Sequence, residues 1–408
     1  MRKGKKVLQW VVLWVFLLMV FGGEASGALI LNPSISLAER FDDNFLFAPK
    51  GGEAVFTSLV LPSLDIKIES QYIVLSTIYS GSLQFYHDSI APDQYYQTAS
   101  FDLDIPFLSY QFKGVRIKII EDVTYTPEIS GYDFGETPTT STAQGQASET
   151  FGDQILANNE GIQLQRADTF INRAGVNIDY TLSSRLGSTV SYYNVITRYD
   201  SPTLADSDGH IGNLTLRYQG TRRTDLTTAY RYTKTIFAGG DDLDVHEILF
   251  GAIHRKSETF FINSSLGTTI LEKEKPQFTF RIGLVQRFKS GRFSFQYVND
   301  TGSGAGLTTA PSIRHRFISE TQWSLSDDIS VYFRLAYGNH RSISGGNVKI
   351  QTYTANPGMN VKIFSWLTGN LSYSYFNQQN QGTIGREGDR NLVVFMLTAT
   401  GQTLRYFN

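Results

Sequence analysis

Cysteine is absent from the chain. That removes disulfides, thiolate metal sites, thiol catalysis and a lipoprotein cysteine from the outset. Charge imbalance is nearly absent too: 36 Lys and Arg against 38 Asp and Glu leave a formal net charge of −2. A nucleic-acid partner is not expected from that balance. Beyond the N-terminus there is no run of 18 apolar residues, so a bundle of membrane-spanning helices is excluded. Metal spacing is missing as well. The histidines His87, His210, His246, His254, His315 and His340 form no HExxH pattern, and no G-x-S-x-G nucleophile elbow occurs. No catalytic residue, cofactor or metal site is expected, and the chain is not expected to be an enzyme.

What is present is aromatic and polar. Tyr (22) and Phe (28) are abundant, alongside many Thr, Ser, Asn and Gly, a mix that favours strands over helices. The N-terminus stands apart. A basic cluster, Met1-Arg2-Lys3-Gly4-Lys5-Lys6, precedes an apolar run over 7–21 and small residues at Ala25, Ser26, Gly27 and Ala28. These are the three parts of a secretory signal peptide. The run is shorter than the roughly 20 residues a spanning helix needs. We therefore divide the chain into a signal peptide over 1–28 and one domain over 29–408.

Period-2 alternation recurs through that domain. Val115, Ile117 and Ile119 alternate with Arg116, Lys118 and Ile120. Phe101, Leu103, Ile105 and Phe107 alternate with polar neighbours, as do Phe278, Phe280, Ile282 and Leu284, and Val331, Phe333, Leu335 and Tyr337. One face of each strand is apolar and the other polar. Many segments exceed ten residues, longer than the five or six usual in soluble domains and matched to the roughly 9–11 a tilted membrane strand needs. Connections alternate in length. Short turns fall near Lys113-Gly114, Ser183-Ser184, Arg222-Arg223-Thr224, Lys256-Ser257, Ser290-Gly291, Asp327-Asp328 and Ser365-Trp366. Between them lie longer polar stretches at 88–97, 126–160, 200–209, 300–311 and 377–389, with 272–276 short where length is expected. Short periplasmic turns opposite longer extracellular loops are the phase of a bacterial outer-membrane barrel. The prediction is an all-β fold, an antiparallel transmembrane β-barrel of about 18 strands, with 16 the alternative, and both ends in the periplasm. The expected location is the outer membrane, with its lipid as first partner. Tyr110, Tyr199, Tyr218, Phe237, Tyr297 and Tyr375 are expected in the interfacial girdles.

The polar side of the strands predicts a lumen. Arg116, Lys118, Arg217, Arg231, Arg281, Arg314, Arg316, Glu320 and Arg334 fall on it, as do Asp102, Asp104 and Asp122. Rings of Arg and Lys favour anions; alternatively, these side chains pair across strands and brace the wall. The acidic stretches 239–244 and 206–209 lack the full EF-hand spacing and read as loop tips.

The start of the domain carries a more specific signal. Asn32-Pro33-Ser34-Ile35 opens a strand that runs into Asp42-Asp43-Asn44, and a second strand holds Thr57 and Pro62. Near the other end Asp389-Arg390-Asn391 leads into a last strand. This pattern resembles outer-membrane β-barrels associated with exopolysaccharide and exosortase (PEP-CTERM) systems. The resemblance implies an envelope role near polysaccharide export, with periplasmic export components as partners. The leading expectation is a passive conduit, porin-like or part of such an export system, passing anionic solutes or polysaccharide. The alternatives are a plugged structural or adhesion barrel acting through its loops, and a barrel sheathing a periplasmic or electron-carrying partner.

Overall fold

The computed structural model describes residues 27–49, 52–87, 92–126, 167–202, 204–272, 274–304, 308–343, 348–383 and 386–407. The expected signal peptide, but for Gly27 and Ala28, and most of the 126–160 connection lie outside them. The described residues form one continuous antiparallel sheet. Its strands are β1 (Gly27–Asp42), β2 (Val55–Ser70), β3 (Val74–Tyr86), β4 (Gln94–Asp104), β5 (Val115–Thr126) and β6 (Thr169–Thr181). Then come β7 (Leu186–Tyr199), β8 (Ser207–Gln219), β9 (Thr224–Phe237), β10 (Leu243–Arg255), β11 (Phe260–Leu271) and β12 (Gln277–Phe288). The sheet ends with β13 (Gly291–Gly304), β14 (Thr308–Ser324), β15 (Ile329–Ser342), β16 (Lys349–Phe364), β17 (Leu367–Asn380), β18 (Gly388–Thr400) and β19 (Leu404–Phe407). From β1 to β18 each strand pairs with its sequence neighbours, and β1 also pairs with β18 and β19. The two last segments lie on one edge of β1, β18 against 34–42 and β19 against 28–31. They are one interrupted wall strand, so the barrel is closed with 18 strands. Closure leaves no edge, as lipid requires.

Alternation sorts the side chains. Ile35, Leu37, Phe56, Phe250, Leu266, Phe278, Leu371 and Phe395 are exposed on the outside. Arg40, Thr57, Gln84, Arg281, Thr352 and Arg390 are buried on the inside. An apolar exterior around a polar interior inverts the soluble pattern and is that of an outer-membrane barrel; the chain is a protein of the bacterial outer membrane. Tyr218 and Tyr297 take outward positions, as expected. Phe237 does not: it is 5% exposed and packs inward with Leu243, Val245 and Leu271. Tyr199 pairs with Thr169, which is buried, and shares its inward side.

Two connections depart from the predicted phase. β13 and β14 run almost through the expected 300–311 loop and leave only 305–307 between them. Their register shifts between Gly302 and Gly304, an irregularity that lets a strand bend. β14 comes close to β10, with three strands between them in the wall. The turn expected at Lys113-Gly114 is the end of a longer connection that holds α1 (Pro106–Gln111). Proline at the first helical position fixes the backbone and needs no N–H partner there, so the alternation through Ile105 and Phe107 ends at Asp104.

The seam between β1 and β18 explains the two motifs of the resemblance. Asp42 accepts from Arg390 Nε at 2.9 Å through both oxygens, and both side chains are almost fully buried. Asp43 accepts from the backbone N–H and the side-chain amide of Asn391, each at 2.6 Å. Asn44 Nδ2 donates to the carbonyls of Asp389 at 2.7 Å and Ala48 at 2.9 Å. That turn swings Phe47 onto the Phe376 ring, 5.6 Å between centroids, inside an apolar cluster with Leu59, Leu392 and Val394. Asp-Asp-Asn and Asp-Arg-Asn are two halves of one latch at the extracellular end of the seam. Breaking one partner of a buried ion pair costs about 3–5 kcal/mol. Arg390→Ala is therefore expected to lower the temperature at which the compact barrel band converts to the unfolded band on unboiled gels.

Candidate functional site in the lumen

Each predicted lumen residue stands on an inward position, held there by strand register. Arg116 lies beside Asp104, its Nε 3.0 Å from Oδ2, and Lys118 Nζ is 2.6 Å from Asp102. Glu320 and Arg334 face each other in register at 3.3 Å. These pairs brace neighbouring strands.

The other predicted arginines are arranged two to a carboxylate. Glu247 on β10 takes Arg281 of β12 at 2.6 Å and Arg231 of β9 at 3.4 Å. Asp300 on β13 takes Arg314 at 3.0 Å and Arg316 at 2.9 Å, both from β14. Asp225 on β9 takes Arg217 of β8 at 2.5 Å and Arg255 of β10 at 2.7 Å. The carboxylates sit at 2–6% side-chain exposure. A buried carboxylate is tolerated only when paired and hydrogen-bonded, and two planar guanidiniums saturate its lone pairs. Gly302 adds to the fit: a Cβ there would fall 2.4 Å from the Arg314 guanidinium carbon. Arg231, Glu247, Arg281, Asp300 and Arg314 together line a cavity of about 160 Å³, with Thr197, Thr233 and Thr235.

Sequence reasoning passed over Asp225, Glu247, Asp300, Arg255, Arg287 and Arg292. The signal was available, since each stands an even number of residues from another inward residue of its strand. With them included, the inward positions of β8–β14 carry eight arginines (Arg217, Arg231, Arg255, Arg281, Arg287, Arg292, Arg314, Arg316) and four carboxylates (Asp225, Glu247, Asp300, Glu320). The inward positions of β2–β6 carry six carboxylates (Asp65, Glu69, Asp102, Asp104, Asp122, Asp179) and four cations (Lys67, Arg116, Lys118, Arg173). The lumen thus has one basic wall and one acidic wall.

The acidic stretches have cationic neighbours of their own. Asp208 meets Arg198 at 2.6 Å, and Asp242 meets Lys234 at 3.3 Å. Among the described residues no group of three or more His, Asp or Glu is placed to hold a metal ion.

No family model matches the chain, and no curated protein matches it. Solved structures do. Acinetobacter baumannii OccAB4 is 13% identical at TM-score 0.47, over 94% of this chain and 99% of that one. Pseudomonas aeruginosa OccK9 (OpdG) is 11% identical at TM-score 0.48, over 93% and 98%. The Pseudomonas aeruginosa outer membrane protein OpdK is 8% identical at TM-score 0.46, over 93% and 99%.

Asp300→Asn would leave Arg314 and Arg316 side by side without the anion between them. A loss of about 3–5 kcal/mol is expected from such a broken buried pair, read as a lower unfolding temperature of the barrel. Glu320→Gln, on a pair half open to water, is expected to change it by less than about 1 kcal/mol.

Proposed function

We propose that the protein is a passive outer-membrane channel that favours anionic solutes. The observation that carries this reading is the basic wall of β8–β14 facing the acidic wall of β2–β6. Opposed walls set up a field across the lumen, and a dry protein wall on either side concentrates it. A solute with a carboxylate, phosphate or sulfonate group is drawn to the arginine side, and its polar or cationic part to the other. No covalent step is involved; selection is by charge and width.

The resemblance of residues 32–64 to exopolysaccharide-associated barrels supports a second reading, in which the anion is an acidic polysaccharide and the partners are periplasmic export components. An added acidic oligosaccharide then blocks the current, whereas a neutral one of equal length does not.

The selective charge can be reduced while every carboxylate keeps a guanidinium. Arg231→Gln, Arg255→Gln and Arg314→Gln together leave Glu247 with Arg281, Asp225 with Arg217 and Asp300 with Arg316. In planar bilayers under a salt gradient, the native protein is expected to give a reversal potential on the anion side, and the triple variant one closer to zero. An unchanged potential contradicts selection by these arginines. Silence from folded native protein contradicts the channel itself.

A further inference from the structure

Among the described residues, the outer face carries one charged side chain at mid-strand. On β5 the outward positions are Ile117, Ile119, Glu121, Val123 and Tyr125, and the carboxylate is the middle one. Among the described residues, every other outward charge of the wall lies within four residues of a strand's extracellular end; Glu39, Arg198, Lys234 and Asp244 are examples. Glu121 alone sits at mid-strand, where the surroundings of a monomer are hydrocarbon. Ionisable groups at that depth normally turn to a protein partner or a water-filled cavity.

The neighbours of Glu121 differ from the rest of the exterior in the same way. Asn172 of β6 points outward and donates to Glu121 Oε1 at 3.2 Å. In register beside Glu121 comes Ala174, and beside that Asn194. On the other flank Gln97 of β4 lies on the same side but is buried, with the Tyr79 hydroxyl donating to it at 3.2 Å. Ala174 and Ala99 on β4 are the small residues of this sector, standing among larger outward side chains such as Phe101, Ile119 and Tyr192. Outward amides beside a carboxylate are groups that can hydrogen-bond between two membrane segments. At the periplasmic edge of the sector, the connection holding α1 exposes Phe107, Tyr110 and Phe112.

We infer that this sector of β4–β7 is the contact between two copies of the chain, related by a two-fold axis normal to the bilayer. The occupant must lie inside the membrane, because the carboxylate does. Two copies inserted in the same sense are related by rotation about the bilayer normal, and rotation preserves depth. Each residue then meets residues of its own level. Glu121 supplies the acceptor and Asn172, beside it at the same level, the donor. An axis between them sets each copy's Glu121 against the other's Asn172, the self-complementarity an isologous contact needs.

Native absence of cysteine makes the test clean. Ala174→Cys places one thiol beside the axis; Leu266→Cys places one on the outward face of β11, well round the barrel. Intact outer membranes are oxidised and run without reductant, and folding of each variant is read from its heat-modifiable band. Ala174→Cys is expected to give a disulfide-linked band at twice the chain mass, Leu266→Cys none, and Ala174→Cys with Glu121→Leu a loss of the band. The inference is overturned if folded Ala174→Cys stays monomeric, if Leu266→Cys links equally, if the link is to another protein, or if the band survives Glu121→Leu.

Discussion

Closure of the first strand onto the last is the constraint on which everything else in this molecule depends. An open sheet in lipid leaves two rows of backbone donors and acceptors without water to satisfy them. Here the edge of β1 is covered by β18 and β19 over most of its length. Chain ends more than 340 residues apart must find that register, and a one-residue slip would turn apolar side chains into the lumen and arginines into the lipid. The extracellular end of the seam is where specificity is added: Asp42 with Arg390, Asp43 with Asn391, Asn44 with the Asp389 carbonyl. Backbone pairing alone does not distinguish registers two residues apart. A buried, bidentate ion pair does, because a shifted register would strand a carboxylate and a guanidinium without each other.

The lumen follows from closure. Once alternation has an inside, every charged residue at an inward position shares a confined space and must find a counter-charge. The arginines of β8–β14 do so two to a carboxylate, while β2–β6 hold more acids than bases. The wall is thus both braced and polarised. Bracing is compatible with the proposed selection: the contact that steadies Asp300 between Arg314 and Arg316 also fixes the orientation of those cations.

The architecture was largely legible in the sequence, for physical reasons. Period-2 alternation in segments such as 278–284 and 331–337 reports a sheet with one lipid face, and the loop phase reports which ends share a side of the membrane. What failed was local. The 300–311 stretch, rich in Gly, Ser and Thr, reads as a loop, yet β13 and β14 continue through it because pairing across a hairpin tolerates weak strand formers. Phe237 reads as a girdle aromatic, but its parity turns it inward to Leu243 and Val245. The inward parity of Asp225, Glu247 and Asp300 was readable strand by strand, but which arginines each would hold was not, because the pairing register is not written in any one strand. The two motifs of the resemblance were visible, but not that they touch.

Closure can be tested at one register pair. Ala38 on β1 and Met396 on β18 are direct partners, and both side chains are buried inside the barrel. Facing residues of adjacent antiparallel strands lie roughly 4.5–5.5 Å apart at Cα, within reach of a disulfide. In the otherwise cysteine-free chain, Ala38→Cys with Met396→Cys is predicted to form that disulfide in the folded barrel and in no other register, so that Ala38→Cys with Leu392→Cys stays reduced. Free thiols at 38 and 396 in folded protein, or an equally ready link between 38 and 392, would contradict the closed seam described here.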